Sequence, residues 1–91
     1  MLSTDANLVN IMRRKGQFRV PRSLILGNPE LAYKIFDRVI VLRAEHMAMS
    51  DEFEYQALSE RFREVGRAEC APQYSVEVKE LPGGEKEVSF I

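Results

Sequence analysis

The sequence predicts an α+β fold: a short N-terminal helix, an antiparallel helical hairpin, and a C-terminal β-hairpin packed on it. Three observations lead there. Gly27-Asn28-Pro29-Glu30 is a strong helix start. Apolar residues then recur at helical spacing through the middle of the chain. Near the end, two alternating runs flank Leu81-Pro82-Gly83-Gly84. At 91 residues the chain has the length of one domain, 1–91.

The first helix is expected to begin at a Ser3 or Thr4 cap, with Leu8, Ile11 and Met12 at i, i+3, i+4. Gly16 is the natural stop, and Arg13, Arg14 and Lys15 would oppose the negative end of its dipole. Phe18 and Val20 alternate with Arg19, which suits a short extended piece, and Pro21 interrupts it. Ser23 to Leu26 fits a helical turn and a strand equally well.

Asn28 is a good N-cap, Pro29 suits the first helical position, and Glu30 complements the dipole. A helix is expected over 29–48, with its stripe at Ala32, Ile35, Phe36, Val39 and Ile40. Val39-Ile40-Val41-Leu42 is apolar nearly all round, which implies burial on more than one side, by this chain or a second copy. Ser50-Asp51-Glu52 reads as another cap with an acidic first turn, opening a helix over 51–65 that carries Phe53, Ala57, Leu58, Phe62 and Val65 and stops at Gly66. The short connection folds the two helices back on each other. The rival reading is one kinked helix from Pro29 to Val65.

Tyr74, Val76 and Val78 alternate with polar residues, as do Val88 and Phe90. Around a Pro-Gly-Gly turn this is a hairpin. Its apolar face needs a cover, because a lone hairpin is marginal in water. Phe18 to Val20 is a candidate third strand.

Charge divides the chain. Residues 1–44 carry eight Lys/Arg against three acids, a net +5; residues 45–91 carry five against eleven, a net −6. Such fields can steer partners together. The acidic excess has local explanations at helix starts and along strands. The basic segment Arg13 to Arg22 does not, so Arg13, Arg14, Lys15, Phe18, Arg19 and Arg22 form the candidate partner-binding set. Cations with one aromatic also suit a nucleic-acid backbone and base, which makes binding by segment 13–22 the alternative function. Against it stands the slightly acidic total, −1. Val39, Ile40, Leu42 and Met47 form the candidate oligomer interface.

Signs of catalysis are missing from the sequence. His46 is the only histidine and Cys70 the only cysteine, with no interpretable spacing between them. Asp51, Glu52 and Glu54 serve a helix start rather than a metal, and no phosphate loop or cation loop is spelled out. No catalytic residue, metal or cofactor is expected. A lone cysteine excludes an internal disulfide. The opening residues do not read as a secretory signal, and the longest apolar run has four residues, far short of a membrane span. The expectation is a cytoplasmic, non-enzymatic protein-interaction module that self-associates as a homodimer or small oligomer. Small regulatory or accessory proteins of the inhibitor type that mobile elements encode would have this profile.

Overall fold

Residues 11–66 and 68–91 are described in the structure, a computed structural model. Residues Lys15–Pro21 set the centre of the fold. Gly16, Phe18 and Val20 are buried while Arg19 and Pro21 are exposed, so β1 (Lys15–Pro21) follows the two-residue period of a strand. Both of its edges are occupied. It pairs antiparallel with β3 (Glu52–Ser59) and parallel with the two-residue β4 (Gln73–Tyr74).

Two short helices follow β1. The first, α1 (Arg22–Gly27), resolves the ambiguity of Ser23 to Leu26 in favour of helix. The second, α2 (Pro29–Phe36), starts as its residues dictate: Asn28 Oδ1 accepts from the Leu31 N–H at 3.2 Å, with Pro29 in the first turn. It buries Leu31, Ala32 and Ile35 and then stops. Asp37 is extended, and Arg38 takes a left-handed φ of 58°.

The helical hairpin is therefore overturned. Residues 39–47 form β2 (Val39–Met47), and residues 52–59 form β3, so neither the helix over 29–48 nor the helix over 51–65 exists beyond α2. The reason is local. Three of the four residues Val39 to Leu42 are β-branched, which favours a pleated strand over a helix. Ser50-Asp51 is a turn instead of a cap, with Asp51 at φ 53°. The kinked single helix fails for the same reasons. Gly16, expected as a helix stop, lies inside β1; a Cβ there would meet Tyr74 Cε2 at 2.8 Å, so glycine admits the ring. Of the expected N-terminal helix, residues 1–10 lie outside the described residues.

The sheet order is β2-β3-β1-β4. Both β1 and β2 run antiparallel to β3, so they are parallel to each other, joined by α1 and α2 and separated by the strand that follows them. The remaining strands, β5 (Val76–Glu80) and β6 (Lys86–Phe90), form an antiparallel hairpin. Its turn holds Gly83 and Gly84 at φ 97° and 87°, a conformation that suits glycine. The sequence placed this hairpin on helices; it packs instead on the sheet side that α2 also covers. Phe90 lies 4.8 Å from Phe18 and 5.0 Å from Phe62, ring centre to ring centre. Phe36 and Tyr55 complete the aromatic shell of Phe18 at 5.9 and 5.4 Å.

Arg61 ties these layers together. Its Nη1 donates to the carbonyls of Lys34, Ile35 and Asp37, and its Nη2 to that of Val88. No helix among the described residues is long and apolar enough to cross a membrane.

Candidate functional site

The basic segment comes apart in three dimensions. Alternation along β1 sends Lys15 and Arg19 to one side and Phe18 to the other. Phe18 is completely buried, so it is no surface residue, and its place in the binding set is corrected to the core. The arginines have partners within the chain. Arg13 meets Glu64 at 3.5 Å, Arg14 donates to the Phe62 carbonyl at 2.8 Å, and Arg19 holds Glu54 at 2.9 Å. Arg22 shares its Nε donor between the two Asp51 carboxylate oxygens at 3.0 and 3.2 Å. Sequence proximity thus collected residues that the strand distributes over two faces and both ends of the sheet.

The second candidate set fares differently. Val39, Ile40, Leu42 and Met47 all lie on β2, and β2 is an outer strand of the sheet. Its nine residues pair with β3 on one side and with nothing on the other among the described residues. Ile40, Val41 and Leu42 are 51%, 42% and 61% exposed, while Val39 and Met47 are half-buried. An edge of this kind presents unpaired N–H and C=O groups beside apolar side chains. Between Val41 and Arg43 the register with β3 shifts, leaving Leu42 as the extra residue of a bulge. Beyond it, Arg43 and Glu45 share one side of the strand, 4.0 Å apart and well exposed. The pair is invisible on a helix, where residues at i, i+2 do not meet; in a strand they do.

That side of the sheet carries a charge row. Register places Arg19 opposite Glu54, and Glu54 opposite Glu45. Two carboxylates therefore stand side by side, with a guanidinium beyond the first and, among the described residues, Arg43 near the second.

At the far end of β2, the β2–β3 turn is fastened by three side chains. His46 Nε2 lies 2.9 Å from Asp51 Oδ1, Arg22 holds the same carboxylate, and the Arg22 N–H donates to the Asp51 carbonyl at 3.0 Å. The hydrogen bond from His46, then that from Arg22, keeps the Asp51 carboxyl below its ordinary range. A depressed carboxylate stabilises the fold above its unfolded pKa, and the contribution disappears as pH falls through the folded value. A side-chain NMR titration of Asp51 should give a midpoint below that of the same residue in the urea-unfolded chain. Arg22→Ala and His46→Ala should each raise it; equal folded and unfolded midpoints would refute the account.

Cys70 is exposed and free. Among the described residues no three His, Cys, Asp or Glu side chains converge as a metal site would require. The chain matches no family model, no curated protein and no solved structure.

Proposed function

We propose that the chain is a non-enzymatic protein-interaction module, a small regulatory or accessory protein that self-associates by strand addition at the outer edge of β2. One observation carries this reading: a nine-residue edge strand whose first half exposes Ile40, Val41 and Leu42. Soluble proteins blunt such edges with lysines, prolines or very short strands. Here the first half has none of these, and only the bulge at Leu42 interrupts it. Adding a strand satisfies the edge N–H and C=O groups and covers the side chains in one step, the physics of β-augmentation. The proposed compartment is the cytoplasm, where an exposed thiol such as Cys70 stays reduced.

Hydrogen exchange read by mass spectrometry over a concentration series tests the proposal. Amides of 39–47 should gain protection as concentration rises, in step with mass by light scattering. Ile40→Lys with Leu42→Lys places two charges on the edge and should abolish both effects. Both positions are exposed, so the fold should lose little, within about 0.5 kcal/mol per site. Exchange from β2 that ignores concentration, in a chain that keeps one mass throughout, would remove the reading.

A further inference from the structure

We infer that the strand added at this edge is β2 of a second copy, antiparallel to the first, with Ala44 opposite Ala44 across a two-fold axis. The inference rests on the edge-strand reading and names its occupant and register. A two-fold axis through an antiparallel pair sets one residue opposite its own copy. The charged pair Arg43 and Glu45, with the residue between them and the one on either side, gives five centres to compare: Leu42, Arg43, Ala44, Glu45 and His46.

Charge decides among them. With Arg43 at the centre, guanidinium faces guanidinium; with Glu45 at the centre, carboxylate faces carboxylate. Like charges directly opposite are unfavourable. Leu42 is the bulged residue, out of register with β3, and centring on it sets Arg43 against Val41. Centring on His46 sets Glu45 against Met47. Only Ala44 places Arg43 opposite Glu45 of the second copy, and does so twice by symmetry.

The charge row points the same way. Within one chain Glu45 stands beside Glu54, whose cation, Arg19, is on the far side. In the Ala44 register Arg43 of the second copy arrives on the open side of Glu45. The row then reads Arg19, Glu54, Glu45, Arg43, two acids flanked by two cations. The bulge is accommodated as well. If the incoming strand skips Leu42 as β3 does, Ile40 meets Met47 of the second copy, two apolar side chains on one face. The result is a continuous sheet of eight strands with the two β2 strands at its centre.

Two reciprocal variants test this, followed by analytical ultracentrifugation. Arg43→Glu alone sets acid against acid at both contacts, and Glu45→Arg alone sets cation against cation. Each should weaken self-association about tenfold or more. Mixed together, the two variants pair opposite charges at both contacts, so they should form a heterodimer as tight as the original homodimer. The double variant Arg43→Glu with Glu45→Arg restores the match within one chain and should still form a homodimer, which separates a lost interface from a lost fold. Ala44→Cys in a Cys70→Ser background should oxidise to a linked dimer, since opposed Cα atoms lie within disulfide reach. A chain that self-associates with β2 protected, yet ignores both reversals and fails to link through residue 44, overturns this register and leaves the edge-strand reading standing. A chain whose β2 amides are never protected overturns both.

Discussion

Phe18→Ala should unfold the chain or bring it to the edge of unfolding. Phe18 has no exposed surface and lies within 6.2 Å, centre to centre, of Phe36, Tyr55, Phe62 and Phe90. Those four rings come from α2, β3, the segment after β3, and β6. Removing the phenyl ring opens a cavity that no single element can close, because each neighbour is held by its own strand or helix. A buried Phe→Ala change costs about 3–5 kcal/mol. The whole stability of a domain is about 5–15 kcal/mol, and small domains sit toward the bottom of that range. Phe18→Leu keeps most of the volume and should cost less than half as much. Urea unfolding followed by circular dichroism measures both, with Tyr33→Ala as the reference, since Tyr33 is 78% exposed. A midpoint for Phe18→Ala as high as that of Tyr33→Ala would show that the aromatic cluster is not the core.

Phe18 also shows what the sequence could and could not reveal. Its alternation with Arg19 and Val20 predicted extended backbone, and β1 is a strand. The same alternation forbids Phe18 and Arg19 from sharing a surface, a step that a count of cations along ten residues leaves out. The middle of the chain misled for a different reason. Phe53 and Ala57 are four apart, and four residues is close to one helical turn yet also two strand periods. Phe53, Tyr55, Ala57 and Ser59 therefore satisfy the strand pattern as well as Phe53, Ala57 and Leu58 satisfy the helical one. Tyr55 breaks the tie, because it falls off the helical stripe but lies directly opposite Phe18 in the sheet. For 39–42 the β-branched side chains held the answer, against a strong helix start at Asn28 that in fact governs only eight residues. The C-terminal hairpin was legible because its turn needs left-handed residues and the sequence supplies two glycines. What it packs on was not legible, since that depends on where the intervening strands go. On a helix the apolar run would be an interface through its girth. It is exposed for another reason, its position at the sheet's edge. No local pattern encodes which strand ends up outermost.

Arg61→Ala should cost nearly as much as the core truncation. The guanidinium closes the C-terminal turn of α2, where the last carbonyls have no helical donor. It donates to Lys34, Ile35 and Asp37 carbonyls at 3.2, 2.9 and 2.9 Å, and to Val88 at 3.1 Å. Its carbon lies 4.5 Å from the centre of the Phe90 ring, over the face of the last strand. One side chain thus adds a second link between α2 and β6, beside the bond from Lys34 Nζ to the Lys86 carbonyl at 2.9 Å. Burial lowers the Arg61 pKa and the charge of Asp37 raises it, but a guanidinium stays cationic at neutral pH, so the bonds are charge-assisted. Alanine leaves the Ile35 and Val88 carbonyls short of a donor in a half-buried place and returns those of Lys34 and Asp37 to solvent. The expected loss is about 2–4 kcal/mol, or a fall in Tm of roughly 10–25 °C for a chain of this size. Arg61→Lys preserves the charge but has one ammonium in place of a planar fork, so it should recover less than half of the loss. Recovery by lysine of nearly all the stability would mean that charge alone matters and that the fork geometry does not. Hydrogen exchange gives the position of the damage. In Arg61→Ala the amides of β6 and of the last turn of α2 should open well before those of β1 and β3. Uniform exchange across all strands would mean that Arg61 stabilises the fold without linking these two elements.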